Sequence, residues 1–397
     1  MRSTVMEGPL AQWEPGLTQE LKRLGYTKRT ASVQMALARR LSQYLQKREM
    51  CADELSTEVV GNFLDTVRTE GGAWGCRPVS LPWLVDYFMK IGVISPSTQP
   101  VPRSPEELLV ERYRSYILAE RGLVPSTAKM YIQVAVLPFL KEHGASNISD
   151  VSASDVSRFV TRQCRQMSTR STERLVVGLR SFLDFVHLEG LVTSRLSAAV
   201  PSPARWSQAS LPRGLTAEQV AALQATCDRR RAVGRRNYAI LVMFSRLGLR
   251  TCEVAALRLD DIDWRLAEIV VRGKGGTEER LPLPEDVGDA IAGYLRRGRP
   301  RRPEREVFLR AIAPRRGLQP QGVAEVVRNA AERAGIGRVG PHRLRHTAAT
   351  EMLRAGASLV EIAQVLRHRS VATTAIYAKV DHLALAELAQ PWPGSER

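Results

Sequence analysis

The chain is poor in cysteine, aromatic residues and histidine, and it has no long apolar run. Its five cysteines, Cys51, Cys76, Cys164, Cys227 and Cys252, stand far apart with no C-x-x-C pair. That spacing argues against a disulfide framework and a zinc site, and it fits a reducing compartment. The opening stretch MRSTVMEGPLAQWEPG lacks the apolar centre of a signal peptide. The longest apolar run, near YAILVMF, is far too short to span a bilayer. We therefore expect a cytoplasmic protein with no membrane partner. Carboxylates are also scarce relative to cations: 41 Asp and Glu face 58 Lys and Arg, a formal charge of +17. An excess carried mostly by arginine suits a polyanion, although charge of this size also serves solubility alone. With 397 residues, 44% of them hydrophobic, the chain can fill two or three real cores.

Two stretches dense in Pro and Ser, SPSTQPVPRSP (95–105) and AAVPSPARWSQASLPRG (198–214), read as linkers. Between them, apolar residues recur at three- and four-residue spacing over 106–121, 126–143, 154–166 and 172–189, predicting four helices. Ser126 and Ser154 are the expected N-caps, and Gly122, Gly144 and Gly190 the expected stops. The segment before the first linker reads as a second copy of this unit. LGYTKRTA (24–31) aligns with RGLVPSTA (121–128), and LVDYFMKIGVI (84–94) with FLDFVHLEGLV (182–192). Leu55, Val60 and Phe63 align with Val151, Val156 and Phe159, and Asp86 with Asp184. The offset stays at about 96 to 98 residues throughout.

After the second linker the texture changes. Thr216, with Gln219 three residues on, reads as the cap of a helix, and RNYAILVMFSRLGLR as a buried helix ending near Gly248. EIVVRG (268–273) and EERLPLP (278–284) flank KGGT as a β-hairpin. Helical patterns with glycine stops then run through HRLRHTAATEMLRAG, LVEIAQVLRH and ATTAIYAKV. This predicts a mainly α domain with one small β-sheet.

Within it, Arg250, Lys274, His342, Arg345, His368 and Tyr377 follow one another in order. A phosphodiester resists attack because its non-bridging oxygens are negative, and the transition state loads more charge onto them. Fixed cations can stabilise that charge without a metal. Arg250 and Arg345 can each offer a bidentate fork to the phosphate. His342 and Arg345, three apart, share a helix face, and Pro341 suits its first turn, which would bring the helix's positive end near the phosphate. Tyr377 is a phenol, protonated at neutral pH, that needs a proton acceptor before it can attack. Taken singly, each residue has an ordinary structural explanation: Arg250 could cap a helix beside Glu253, and Lys274 could be a solvated turn residue. The ordered set is what points to chemistry.

These segments, SRLGLRTCEVAALRLDDIDW, VRGKGGTEERLPLP, PHRLRHTAAT and LRHRSVATTAIY, resemble the catalytic domain of the tyrosine recombinases, the phage-integrase family, and most closely its Xer-like bacterial members. The resemblance covers roughly 213–390. A weaker match to the family's helical, SAM-like core-binding domain covers about 104–195. Together with the internal repeat it gives tandem core-binding-like domains, 1–97 and 104–197, where a typical Xer-like member has one, then a catalytic domain, 213–390, and a tail, 391–397. It implies a site-specific recombinase, an integrase or transposase of a mobile element, that joins DNA to Tyr377 by a 3′-phosphotyrosyl bond. The resemblance makes His342 the proton acceptor, Lys274 the general acid for the leaving 5′-oxygen, and His368 a further donor to the phosphate. The implied partners are double-stranded DNA and three further copies, a homotetramer on two DNA sites, alone or beside sister recombinases, passing through a Holliday junction. No cofactor and no metal are expected. Asp260, Asp261 and Asp263 are expected to be structural, and Glu253 to orient or support. A non-catalytic regulator and a type IB topoisomerase are the alternative readings.

Three features sit outside the family pattern or remain open. The family usually has Gly where Arg367 precedes His368, which adds a cation there. The Arg-dense stretch 294–317 is either a solvated loop or a DNA-backbone contact that would steepen salt dependence. The segment 381–392, with Leu383, Leu385, Leu388 and Trp392, is too short for its own core. In the resembling family such tails pass cyclically between protomers, and docking on its own protomer is the alternative.

Overall fold

The computed structural model describes residues 6–69, 81–94, 104–202, 214–273, 277–367 and Thr374. Its residues form two compact units, one combining Met1–Ser95 with Ala209–Arg397, the other Pro96–Gln208. Among the described residues four apolar clusters lie within them, one around Leu17, Leu41, Trp83 and Phe88 at the N-terminal end and the smallest around Ala349, Ile362 and Leu366. Among the described residues no helix is long and apolar enough to cross a membrane.

The N-terminal segment carries α1 (Glu14–Arg23), α2 (Lys28–Gln46), α3 (Thr57–Thr69) and α4 (Pro82–Lys90). The second unit carries α5 (Pro105–Ser115), α6 (Pro125–Tyr131), α7 (Leu137–His143), α8 (Ala153–Gln166) and α9 (Thr169–Leu188). Its core is aromatic: the Tyr113 ring meets Phe182 edge-on at 5.3 Å, and Phe139 meets Phe159 at 5.1 Å. Gly122, Gly144 and Gly190 adopt left-handed φ and end helical stretches as expected.

Two expected caps are displaced. Pro125 takes the first helical position of α6 with Val124 as N-cap, so Ser126 lies inside the first turn. Ser152, not Ser154, caps α8, because Asp155 stands at the right distance to close a capping box with it. The single helix expected over 126–143 is also interrupted by a π-helical turn at Ile132–Val136. Pro138, at the start of α7, has no N–H to donate, and its ring crowds the preceding turn, which widens the helix there.

The remaining elements are α10 (Ala217–Ala225), α11 (Ala232–Leu247), α12 (Thr251–Ala256), β1 (Ile262–Asp263), β2 (Glu268–Arg272), β3 (Glu278–Pro282), α13 (Glu285–Arg297), α14 (Pro320–Arg333), α15 (Pro341–Arg354) and α16 (Leu359–Leu366). Thr216 caps α10 with Gln219 in a reciprocal box, as its spacing predicts. Residues 239–244 of α11 are all buried, so this stretch of the helix is apolar on every side. It runs through the middle of the core, contacted by α10, α13, α14 and α15. The strands form one antiparallel sheet in the order β1-β2-β3, with Ile269 opposite Leu281 and Arg272 opposite Glu278. The hairpin is as expected. The two-residue β1 was not, being too short to show a period.

Candidate active site

Leu247 ends α11, and Gly248 caps it in the left-handed region at φ +57°. A Cβ there would lie 2.6 Å from a Leu366 methyl, so glycine is required both for the turn and for the close approach. The reversal delivers Arg250 to the N-cap of α12, where its backbone N–H donates to Glu253 Oε2 at 2.7 Å. Its guanidinium donates through Nη1 to Glu253 Oε1 at 2.7 Å and through Nη2 to the Arg367 carbonyl at 2.9 Å. Arg250 does cap the helix beside Glu253, yet its side chain remains 32% exposed.

Pro341 opens α15, and no side chain caps that helix at Gly340. The first turn of such a helix carries a partial positive charge that suits an anion. His342 is exposed on this first turn, whereas Arg345, three residues on, is buried. Arg345 donates through Nη1 to the Gly248 carbonyl at 2.5 Å and through Nη2 to the Leu366 carbonyl. Arg250 and Arg345 thus hold adjacent carbonyls, those of Arg367 and Leu366, at the C-terminal end of α16. Thr347 anchors α15 further, accepting from the Leu215 N–H at 2.8 Å.

The structure brings Arg250, His342 and Arg345 to the α11–α12 turn and the first turns of α15. Lys274, His368 and Tyr377 lie outside the described residues, as does the tail 381–397. The strands on either side of Lys274 are described, and so is the helix that leads to His368.

Two residues gain a role that local spacing did not disclose. Arg367 caps α16 in the left-handed region at φ +54°, and its buried guanidinium donates to Glu253 Oε2 at 2.7 Å. Burial alone would push the Glu253 carboxyl up. The Arg367 charge, the Arg250 N–H and guanidinium, and the hydrogen bond from Arg367 together hold it below its ordinary value of 4.5. His346, one helical turn beyond His342, is held below 6.5 by burial first, and then by the charges of His342 and Arg345.

The three loop aspartates all have protein partners. Asp260 pairs with Arg305, Asp261 accepts from Arg272 and from the Arg258 N–H, and Asp263 accepts from the Arg265 and Leu266 N–H groups. Among the described residues, the metal-capable group that does occur is exposed Cys51, Asp53 and Glu54, in a different part of the fold.

The phage integrase family model matches residues 213–383, and the model of the phage integrase N-terminal SAM-like domain matches residues 110–190. The chain is 39% identical over 401 residues to the putative integrase/recombinase y4rA of Sinorhizobium fredii (strain NBRC 101917 / NGR234), covering 98% of this chain and 96% of that protein. It is 33% identical over 310 residues to the tyrosine recombinase XerD of Mycobacterium tuberculosis (strain ATCC 25618 / H37Rv), covering 72% and 97%. Among solved structures, the XerH site-specific recombinase in a post-cleavage complex with a palindromic difH substrate shares the fold at TM-score 0.60. That match has 16% identity and covers 74% of this chain and 98% of the other. The Tn1549 transposon integrase (residues 82–397) with circular intermediate DNA follows at 0.55 and 17% identity, covering 71% and 99%. With both family models placed on it and a relative aligned from end to end, the chain belongs to the phage integrase family of tyrosine recombinases, the site-specific recombinases.

Proposed function

We propose that this recombinase cuts and rejoins DNA through a 3′-phosphotyrosyl bond to Tyr377 and a Holliday junction, as the integrase or transposase of a mobile element. The observation that carries this reading is the convergence of Arg250 and Arg345 on adjacent carbonyls beside the uncapped start of α15, with His342 exposed there. Two fixed guanidinium groups and a helix N-terminus form a cradle for a phosphate, whose equatorial charge grows in the transition state.

In this reading the Tyr377 Oη attacks phosphorus and forms the new P–O bond, passing its proton to His342. The bond to the 5′-oxygen breaks, and that oxygen takes a proton from Lys274. His368 donates to the phosphate. The phosphodiester energy is kept in the covalent bond, so rejoining needs no nucleotide cofactor. The DNA complexes of the XerH recombinase and the Tn1549 integrase support DNA as the partner, and the Tn1549 integrase and y4rA support the mobile-element role. Assembly as a homotetramer on two sites belongs to the same proposal.

We also propose that residues 1–97 are a second copy of the helical unit 104–197, ahead of a catalytic domain at 213–390. Ser56 caps α3 and Ser152 caps α8, the helices that carry the aligned Val60 and Phe63 and Val156 and Phe159. Gly25 and Gly122 share left-handed φ at one offset, and Gly92 and Gly190 do so at nearly the same offset. Val60 and Phe63 are buried like their counterparts Val156 and Phe159.

The test is Tyr377→Phe on a nicked suicide substrate resolved on a denaturing gel. The variant should bind DNA as the parent does and form no covalent adduct. An adduct that persists removes Tyr377 as nucleophile. A parent that forms none is a DNA-binding relative without the chemistry, and relaxation of supercoils without site preference would make it a topoisomerase.

A further inference from the structure

Helix α16 ends on a non-glycine residue in a left-handed conformation: Arg367 sits at φ +54° and ψ +51°. The backbone there would suit glycine better, since a Cβ is disfavoured in that region. What the arginine adds is a side chain that is only 3% exposed and aimed at a Glu253 carboxylate that is fully buried. Its Nη2 lies 2.7 Å from Oε2 and its Nε 3.4 Å from Oε1, while Nη1 is tied to the Val365 carbonyl at 2.8 Å. The same carboxylate takes Arg250 Nη1 at 2.7 Å, and the second terminal nitrogen of Arg250 rests on the carbonyl of Arg367 itself, at 2.9 Å. Of the two contacts that hold the Arg250 fork, one is made to the Arg367 backbone carbonyl and the other to the carboxylate that Arg367 shares.

The charge count gives this a consequence. Glu253 with Arg250 alone is a neutral pair, and a buried carboxylate would draw its single counterion inward. With Arg367 present the trio carries one net positive charge. The buried cation satisfies the buried anion, and Arg250, the exposed member, is left with attraction to spare.

We propose that Arg367 is a positioning residue for strand cleavage: it neutralises Glu253 and braces the Arg250 fork, so that Arg250 can turn its charge to the scissile phosphate. This rests on the reading of Arg250 as a phosphate ligand. Arg367 itself touches no substrate in this account.

The experiment measures single-turnover cleavage of a suicide substrate beside DNA affinity and thermal melting. Arg367→Gly keeps the left-handed turn and removes the guanidinium. It should slow cleavage on the order of 10²-fold, the scale of a misplaced catalytic group, with DNA affinity nearly unchanged. Arg250→Ala with Arg367→Gly should be no slower than Arg250→Ala alone, because Arg367 acts only through Arg250. Adding Glu253→Gln to Arg367→Gly should restore part of the rate by releasing Arg250 from the unbalanced carboxylate. If Arg367→Gly does not fold, Arg367→Lys carries the test: it keeps the charge, loses the fork, and should cut at an intermediate rate with folding retained. Parental cleavage by the folded Arg367 variant, or multiplicative losses in the double variant, would overturn the inference. Parental cleavage by Arg250→Ala would instead overturn the reading of Arg250 on which it rests.

Discussion

Arg250 and Arg345 have one proposed task but different surroundings, and their substitution should separate along that line. Arg345 is 5% exposed and satisfies the Gly248 and Leu366 carbonyls. Arg345→Ala should lower stability by about 1–3 kcal/mol, the cost of leaving buried polar groups unpaired. It should also slow cleavage by roughly 10² or more, as loss of a fixed anion donor does. Arg250→Ala should slow cleavage comparably and melt closer to the parent, because Glu253 keeps Arg367. Equal melting of the two variants would contradict this division, as parental cleavage by either would contradict the proposed task. His346 gives a pH signature. Its folded value lies below 6.5, so between that lowered value and 6.5 the unfolded chain takes up a proton that the fold refuses. Stability should therefore fall as pH drops below 6.5 and be indifferent to His346 above it. Glu253 adds a separate, more acidic loss: its stabilisation is present above 4.5 and goes as pH falls through its lowered folded value. Denaturation midpoints against pH should lose the first decline in His346→Gln and keep the second. A first decline that survives unchanged assigns that titration to another group.

At the scale of elements, the β2–β3 hairpin carries Lys274 between two strands whose register is set by Arg272 opposite Glu278. If Lys274 protonates the leaving oxygen, Lys274→Ala should be slow on an ordinary substrate and recover on one with a 5′-thio leaving group, which needs no proton. Equal defects on both substrates would take Lys274 out of that role. The hairpin was legible in the sequence because two short apolar-polar runs flank a glycine turn, and the α10 cap because Thr216 and Gln219 stand at the spacing of a capping box. The α6 and α8 caps were each read two residues late, because a serine inside the first turn looks locally like a serine at the cap. Only Pro125 and the reach of Asp155 decide between them. The Glu253–Arg367 pair was not legible at all. Its members are 114 residues apart, and local spacing carries no information about such a pair.

Across the molecule, the net charge of +17 does not report how many cations are available to DNA. The Arg-dense stretch after α13 was open to two readings, and the structure engages several of its arginines within the protein. Arg299 donates to the Glu306 and Val307 carbonyls, and Arg305 pairs with Asp260. Against the N-terminal segment, Arg302 donates to the Arg23 carbonyl, the Arg315 N–H to the Leu24 carbonyl at 3.0 Å, and Arg316 pairs with Asp86 at 2.9 Å. Gly25 makes this approach feasible: at φ +80° it turns the chain after α1, and a Cβ there would lie 2.3 Å from Arg302 Nη2. Arg302→Ala with Arg316→Ala should therefore act as an interface change rather than as the loss of two phosphate contacts. The slope of log affinity against log salt should move by much less than about 0.9 for each arginine removed, the value for a contact to the duplex backbone. Limited proteolysis should instead release the N-terminal segment faster, and Gly25→Val should do the same with every arginine in place. A slope that falls by nearly one unit per substitution, with proteolysis unchanged, would mean that these arginines leave the N-terminal segment and track DNA.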